Sequence, residues 1–226
     1  MPHAPVPVQI GERLRRLRQA DGRSLASVAA ELGISSSALS QIETGAMQPS
    51  VKRLIELVEV LGAPVSAIFH EIAVFTPDID QRPSGVTEPV PGVLVAGPDD
   101  HEHARLAQGV TYRRLSPTLL PGVDWFESTY PPRTSSSLDG AMLVHRGIET
   151  GRVERGELTF EFSDGALRLT AGASLSFKAT LPHRVVNDTD EVAVATWITV
   201  VERGVPGVTA PAADVGAGYI RETRTS

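Results

Sequence analysis

The sequence predicts a multidomain protein in which a helical domain precedes an all-β domain. Across residues 1–72, apolar side chains recur at helical spacing between Ser and Gly residues that mark helix ends. Five prolines fall between residues 76 and 100, which predicts an extended linker. From residue 109 onward, short alternating segments separated by turn residues indicate the strands of a sandwich or small barrel. We therefore expect four regions: a helical domain at 1–72, a linker at 73–105, a β domain at 106–203 and a flexible tail at 204–226.

The composition excludes several classes of protein. The chain of 226 residues is 41% hydrophobic, which suits a globular protein, and it contains no cysteine, which excludes disulfides and thiolate chemistry. Its start has neither the basic nor the apolar region of a signal peptide, and no apolar run reaches the length of a membrane span. We expect a cytoplasmic protein that has no contact with membranes.

The helical domain is expected to hold five short helices joined by tight turns. The first is predicted from Ile10, Leu14 and Leu17, which recur at i, i+4 and i+7. Ser residues suit the N-caps of the next three helices, and Gly residues suit their left-handed ends. These N-caps are Ser24, Ser35 and Ser50, the glycines are Gly33, Gly45 and Gly62, and the fifth helix covers residues 63–69.

The third helix has the two faces that a DNA-reading helix needs. Leu39 and Ile42 form its inner face, whereas its outer side carries short hydroxyls and one amide. Hydroxyls can contact bases or phosphates, and Gln can pair with adenine through two hydrogen bonds. The N-termini of helices two and four, at Ser24 and Ser50, can offer backbone N–H groups to phosphates. The predicted DNA contacts are Ser24, Ser35, Ser36, Ser37, Ser40, Gln41 and Ser50.

This region resembles a known family of regulators. The segment GISSSALSQIETGAMQPS, followed by KRLIELVEVLGAP, is similar to the lambda-repressor-like domain of the xenobiotic-response-element (XRE) family, and the resemblance covers residues 9–72. It implies that the third helix is the recognition helix, with base readout on Ser36, Ser37 and Gln41, and that Glu43 has an internal role. This helix has no Arg or Lys, so guanine readout is not expected there. The alternative is a helical domain that keeps the fold without binding DNA.

Charge is unevenly divided between the two domains. The chain has a net charge of −6, yet residues 1–72 hold seven basic and seven acidic residues. The excess acidity therefore lies outside the predicted DNA-binding domain. Because a neutral domain attracts DNA only weakly, useful affinity requires a homodimer that engages two half-sites of an operator.

The β domain is predicted to contain eight short strands. Asp164-Gly165 is a strong hairpin-turn signal, and Gly156 and Gly172 separate strands in a similar way. The predicted strands cover residues 110–115, 123–130, 149–155, 157–162, 166–170, 174–178, 183–187 and 191–201.

Two segments of the β domain resemble the two sequence motifs of the cupin family. HRGIETGRVERGELTFEF is similar to the first motif, His-x3-Glu followed by a strand and a Gly turn, and LTAGASLSFKATLPHRVVN is similar to the second. The resemblance implies a small double-stranded β-helix, or jelly-roll barrel, which holds a metal between the motifs. The matching ligands are His145, Glu149 and His183, while the family's usual first histidine falls at Leu143.

The three implied ligands leave the nature of the site open. Two imidazoles and one carboxylate form the set of a facial triad, which suits Fe(II) and leaves coordination positions for substrate. Zn, Ni and Mn are the other candidate divalent ions. The metal-free alternative is a pocket for an organic effector in which the two histidines hydrogen-bond to Glu149. The predicted effector-pocket residues are Trp125, Leu143, Arg152 and Trp197.

The pair of domains resembles the XRE-cupin transcriptional regulators. It implies a sequence-specific regulator, not an enzyme, that binds double-stranded operator DNA as a homodimer. A small-molecule effector in the cupin domain then modulates operator binding.

Two alternative functions stay open at this point. One is a mononuclear non-haem iron oxygenase or epoxidase, because the iron-dependent hydroxypropylphosphonate epoxidase joins similar domains and has the same His-x3-Glu and later His. The position of that enzyme's substrate-binding lysine reads Asp21-Gly22-Arg23 here, so the lysine has no match. The other is a metal-free binding protein without DNA activity.

Overall fold

The computed structural model describes residues 7–8, 10–69, 93–97 and 103–201. The predicted tail and most of the predicted linker lie outside these residues. The described helices of the first domain all precede residue 70, and every described strand except the first follows residue 102. Within the described ranges, no helix is both long enough and apolar enough to cross a membrane.

The described part of the helical domain contains four α-helices. They are α1 (Ile10–Ala20), α2 (Leu25–Glu31), α3 (Ser36–Glu43) and α4 (Val51–Val60). The prediction of a fifth helix is wrong, because the segment forms only a 3-10 turn at Val65–Ile68. Four residues are too few for a stable α-helix, and Pro64 at the N-cap position makes no side-chain capping bond.

The predicted caps explain where the helices begin and how they turn. The hydroxyls of Ser24, Ser35 and Ser50 each accept a backbone N–H three residues later, at 3.1 to 3.2 Å. Gly33 has a φ of +65°, in the left-handed region that glycine adopts without strain. This residue lets the chain pass from α2 into α3 in a tight turn, which sets the angle between the two helices.

The β domain forms two sheets with all of the eight predicted strands. The strands are β1 (Pro7–Val8), β2 (His103–Arg105), β3 (Thr111–Arg114), β4 (Val123–Tyr130), β5 (Thr134–Ser135), β6 (Ile148–Arg155), β7 (Glu157–Phe162), β8 (Gly165–Thr170), β9 (Ser174–Lys178), β10 (His183–Asn187) and β11 (Ala193–Val200). One sheet has the order β1-β2-β3-β4-β11-β6-β9 and the other has the order β5-β10-β7-β8. The unpredicted strands β1, β2 and β5 have only two or three residues, too few to show a sequence period.

The two sheets enclose a barrel whose interior is continuous with the core of the helical domain. Phe160 of β7 and Trp197 of β11 meet across the barrel with ring centroids 5.3 Å apart. Buried side chains of both domains belong to one connected apolar cluster, which includes Leu54 of α4 and Ile68 of the 3-10 turn. The helical domain therefore packs directly on the barrel.

Candidate DNA-binding surface and buried ligand cluster

The predicted recognition surface is the outer side of α3. Ser36, Ser37 and Gln41 are exposed there, and Ser40 is half-buried. On the inner side, Leu39 is only 1% exposed and anchors the helix in the core. The helix thus presents short polar groups to solvent while its apolar side fixes its orientation, as a helix that enters a DNA groove requires.

The predicted phosphate contacts at helix N-termini lie in different environments. Ser24 of α2 and Ser35 of α3 are exposed, so these helix ends are accessible. Ser50 is half-buried, and the nearby N–H of Lys52 donates to the carbonyl of Ser136 in the β domain at 2.9 Å. In this arrangement the β domain engages the N-terminus of α4, which corrects the expectation that Ser50 marks an open phosphate site.

Glu43 forms a buried ion pair on the inner side of α3. Its two carboxylate oxygens accept hydrogen bonds from the guanidinium of Arg18 at 2.6 and 2.8 Å. The hydrogen bond to Glu43 raises the pKa of Arg18 above its ordinary value. This two-point pairing ties α1 to α3 and agrees with the expectation of an internal role for Glu43.

The implied metal ligands His145, Glu149 and His183 come together at one end of the barrel. His145 precedes β6, Glu149 lies within β6, and His183 begins β10 of the other sheet. One ligand atom from each residue lies within 4.8 Å of the others. All three residues are buried, with exposed fractions of 7%, 9% and 3%. The cluster is therefore compact enough to hold one metal ion.

Backbone carbonyls orient both imidazoles of the cluster. Nδ1 of His145 lies 3.0 Å from the carbonyl of Arg146, and Nδ1 of His183 lies 2.8 Å from the carbonyl of Leu181. Because a carbonyl oxygen only accepts, each Nδ1 carries the proton and each neutral ring keeps a lone pair on Nε2. A protonated Nδ1 held in this way is the usual arrangement of an imidazole that binds a metal through Nε2.

The environment of Nε2 of His145 fits a cation. This buried atom lies 2.7 Å from Oε1 of Glu149, but it has no hydrogen-bond partner of acceptable geometry. Buried polar atoms are normally satisfied, so an exception indicates a missing partner. A metal ion between the imidazole and the carboxylate would satisfy both groups.

Burial and the charge of Glu149 act in opposite directions on the two imidazoles. Burial by itself lowers the pKa of each ring. In His145 the close carboxylate of Glu149, with a smaller contribution from Glu59 of α4, outweighs burial and raises the pKa. In His183 burial outweighs the attraction of Glu149, and the pKa is lowered. His183 is therefore the more readily available neutral donor, whereas protons compete more strongly for His145.

Strand register identifies neighbours of the cluster that the sequence analysis missed. Glu149 lies directly opposite Thr199 of β11 and Phe177 of β9. Thr199 is 8% exposed, and the ring centroid of Phe177 lies 4.8 Å from that of His183. Burial and, to a smaller extent, the charge of Glu149 raise the pKa of Tyr130, so this phenol stays protonated. The pairing of strands distant in sequence, which no local motif reports, places Thr199 and Phe177 beside Glu149.

Two of the four predicted pocket residues lie inside the barrel. Leu143 is 4% exposed and pairs with His183 through an antiparallel bridge, so it lies beside the ligands. Trp197 is 5% exposed and lies opposite Gly151 of β6. A Cβ at Gly151 would lie 2.2 Å from the indole, so glycine leaves the space that the tryptophan occupies. The indole N–H of Trp197 donates to the hydroxyl of Ser128 at 2.9 Å.

The other two predicted pocket residues, Trp125 and Arg152, lie on the outer face of the seven-stranded sheet. Trp125 is 38% exposed next to Phe126, which is 6% exposed. Arg152 is likewise exposed next to the fully buried Val153. Because side chains alternate along a strand, Trp125 and Arg152 point away from the barrel interior, and the structure corrects the prediction for both.

Comparisons with known proteins identify both domains. A family described as "Helix-turn-helix domain" matches residues 9–68, and one described as "Cupin domain" matches residues 126–199. The HTH-type transcriptional regulator PuuR of Escherichia coli (strain K12) is 28% identical over 180 residues, which cover 78% of this chain and 86% of that protein. The chain therefore combines a helix-turn-helix domain with a cupin domain, and it is homologous to the transcriptional regulator PuuR.

One solved structure resembles this chain over most of its length. An HTH_3 family transcriptional regulator from Vibrio cholerae is 26% identical with a TM-score of 0.58, covering 87% of this chain and 97% of that chain. The hydroxypropylphosphonic acid epoxidase from S. wedmorenis is 18% identical with a TM-score of 0.40, covering 85% and 97%. Similarity as low as the second does not discriminate between a regulator and an enzyme.

Proposed function

We propose that the chain is a homodimeric, sequence-specific regulator that reads operator DNA with α3 and binds a small-molecule effector in its barrel. The observation that carries the proposal is the presence, in one chain, of an exposed polar α3 and a buried ligand cluster. A helix with an exposed polar side suits groove binding, and a buried cluster suits a ligand whose binding changes the surrounding packing. A regulator of operators acts in the cytoplasm.

Gln41 is the residue that we assign to base recognition. Its amide can pair with the N6 and N7 positions of adenine in the major groove, and Ser36 and Ser37 can add shorter contacts. Since α3 contains no Arg or Lys, we expect adenine rather than guanine at the positions it reads. The accessible helix ends at Ser24 and Ser35 supply phosphate contacts.

A homodimer is required because the helical domain carries no net positive charge, and an apolar patch on the barrel supports it. The outer face of the seven-stranded sheet exposes Trp125, Ile148 and Val200 at 38%, 48% and 39%. Val200 lies directly opposite Ile148, and Trp125 is on the strand at the other side of β11. We propose that a second copy of this chain covers the patch, which brings two α3 helices to half-sites about 34 Å apart.

We assign His145, Glu149 and His183 as the ligands of a divalent metal ion in the effector pocket. The two oriented imidazoles and the carboxylate suit Fe(II), and Zn, Ni or Mn can use the same donors. When bound, such an ion supplies open coordination positions for a polar group of the effector. Leu143 and Trp197 provide the apolar walls against which the remainder of the effector packs.

The DNA-binding proposal is tested by selecting duplexes from a random pool with the full chain. We expect an enriched sequence with two half-sites, and we expect Gln41→Ala to lose the preference for it. Gln19→Ala is the matched control, because Gln19 is also exposed but lies on α1. A full chain that enriches no sequence would contradict the proposal.

The ligand set favours one further candidate function, a mononuclear non-haem iron oxygenase or epoxidase. Against it, Arg23, in the region where the resemblance places a substrate-binding lysine, donates to the carbonyl of Val60 at 2.8 Å and pairs with Glu31. These contacts hold its guanidinium within the helical domain. Oxygen uptake by the Fe(II)-loaded chain with a panel of substrates tests this candidate, and uptake no greater than that of Glu149→Ala would exclude it.

A further inference from the structure

The helical domain docks on the end of the barrel that holds the ligand cluster. We define this barrel mouth by Asp124, Thr199, Glu149 and His183. Asp124 of β4 lies directly opposite Thr199 of β11, which in turn lies opposite Glu149 of β6. With neighbouring strands about 4.8 Å apart, Asp124 and Glu149 are separated by about 10 Å. Any residue that Asp124 holds is therefore close to the cluster.

Asp124 caps the 3-10 turn of the helical domain. Its two carboxylate oxygens accept the backbone N–H groups of Val65 and Ser66, each at 3.1 Å. The side chain at the turn's own N-cap position makes no hydrogen bond, so the barrel supplies the cap. Asp124 and Ser66 are 7% and 4% exposed. Bonds from N–H groups to a buried carboxylate are stronger than those between neutral groups, so Asp124 contributes a strong polar contact to the interface.

Glu59 of α4 makes a second contact, at the rim of the mouth. Its carboxylate accepts the backbone N–H of Arg146 at 2.9 Å. The carbonyl of the same Arg146 accepts the Nδ1–H of His145. Residue 146 thus holds a cluster imidazole on one side and the DNA-binding domain on the other. A ligand that repositions His145 therefore acts on a residue that is also bonded to Glu59.

The N-terminal end of α4 is also hydrogen-bonded to the β domain. The N–H of Lys52 donates to the carbonyl of Ser136, and the carbonyl of Pro49 accepts the N–H of Ala107, both at 2.9 Å. Lys52 and Glu59 are about 10 Å apart along the helix. Contacts near both ends of α4 therefore hold this helix against the barrel, next to a cluster that is buried.

We propose that α4 and the 3-10 turn form a lid on the barrel mouth, and that Asp124 and Glu59 are the latch that keeps it closed. With the latch closed, the cluster is covered and the N-terminus of α4, which carries Ser50, faces the barrel instead of DNA. The closed form is then the form with lower affinity for DNA, and a ligand that enters the mouth favours the open form. This inference rests on the proposed function, because it assigns a regulatory role to the docking of the DNA-binding domain.

The latch is tested by measuring the distance between the two domains in the full chain. Because the chain has no cysteine, spin labels can be placed uniquely on Ala20→Cys of α1 and Thr170→Cys of β8, both exposed positions. Labelled chain is diluted into unlabelled chain so that only distances within one protomer are measured. We expect a narrow distribution of distances between the two labels in the chain that carries only the two Cys substitutions. We expect a broad distribution when Asp124→Ala and Glu59→Ala are added.

The same variants are assayed on the selected duplex. The latch contributes three hydrogen bonds to carboxylates. Without it we expect at least about 10-fold tighter binding, because losing even one such bond from the closed form shifts the equilibrium by about that factor. Glu154→Ala is the control, because it removes a carboxylate from an exposed position of β6. Glu59→Ala alone should increase duplex affinity by a smaller factor. Because Glu59 is at an exposed position of α4, this variant tests the latch even if Asp124→Ala fails to fold.

Each outcome separates the latch from the proposed function. If the wild-type chain selects no duplex, the proposed function fails, while the distance distributions still test the latch. If the double variant keeps the narrow distribution of the control, the latch is wrong. If the distribution broadens but affinity for the duplex equals that of the control, the domains are latched and the regulatory role is wrong.

Discussion

The two functional regions of this chain are built in opposite ways. On α3 the polar side chains assigned to DNA are exposed, and the stability of the helix rests on the opposite, buried side. At the barrel mouth the assigned ligand residues are themselves buried, and backbone carbonyls hold their rings. Substitutions on the outer side of α3 should therefore separate binding from stability, whereas substitutions at the mouth should change both ligand binding and the position of the helical domain.

The largest expected effect on stability comes from breaking the buried pair on the inner side of α3. Glu43→Ala leaves the guanidinium of Arg18 buried without its partner, which costs about 3–5 kcal/mol of unfolding free energy. Glu12→Ala is the control, since it removes an exposed ion pair with Arg16 and costs under about 1 kcal/mol. Urea unfolding followed by circular dichroism measures both. Equal losses in the two variants would contradict the buried role of Glu43.

The next largest effect is expected on the affinity of the His145, Glu149 and His183 cluster for a metal ion. Removing the carboxylate by Glu149→Ala should weaken binding of Ni²⁺ or Zn²⁺ by about 100-fold or more, because even residues that only orient a ligand contribute about 10–100-fold. Isothermal titration calorimetry measures the affinity, and Glu154→Ala on the same strand should leave it unchanged. A wild-type chain that binds neither ion, nor Fe²⁺ or Mn²⁺, would favour the metal-free pocket.

A smaller effect is expected on the outer side of α3. Gln41→Ala should weaken binding to the selected duplex by about 1–3 kcal/mol, the contribution of one bidentate base contact. Its unfolding free energy should stay within about 0.5 kcal/mol of wild type, as for other exposed substitutions. A large loss of stability together with affinity would mean that Gln41 supports the fold rather than reads DNA.

The smallest effect distinguishes two serines at the start of one helix. Ser35→Ala removes the N-cap of α3 and should cost about 1 kcal/mol of stability. Ser37→Ala, at an exposed position two residues further on, should leave stability unchanged and weaken duplex binding. Thermal unfolding measures the stability of each variant, and fluorescence anisotropy measures its affinity for the selected duplex. If both variants lost stability and affinity to the same extent, the separate roles of Ser35 as a cap and Ser37 as a base contact would be wrong.

The helical region could be predicted closely because its signals are local. Ser35 as an N-cap and Gly33 as a left-handed turn act within a few residues of themselves, and the structure has both where the sequence places them. The one wrong helix, at residues 63–69, depends on a distant residue. Its N-terminal cap is Asp124, from another domain, and the segment forms only a 3-10 turn.

The barrel could be predicted less completely because its site depends on register between distant strands. The family motifs identified His145, Glu149 and His183, but nothing local indicates that Thr199 lies opposite Glu149. The outward position of Arg152 follows from the sequence once β6 is known, because Arg152 is an odd number of residues from Glu149 and so lies on the other face of the strand.

On β4, by contrast, the sequence pattern distinguishes the inward face of the strand from the outward face. The inward face of β4 carries both Phe126 and Tyr130, which indicates that Trp125 points outward. Asp124 shares that inward face. A carboxylate on the same face as two buried aromatic side chains is unusual, and it is the feature of the sequence that points to the contact with the 3-10 turn.

Adding DNA to the doubly spin-labelled chain tests most directly whether DNA binding favours release of the helical domain from the barrel mouth. Linkage is reciprocal, so if opening the latch strengthens DNA binding, saturating duplex must shift the latch toward the open form by the same factor. We predict that the narrow distance between positions 20 and 170 broadens or lengthens when the selected duplex is added, and that a scrambled duplex has no such effect at the same concentration. An unchanged narrow distribution at saturating duplex would contradict the account.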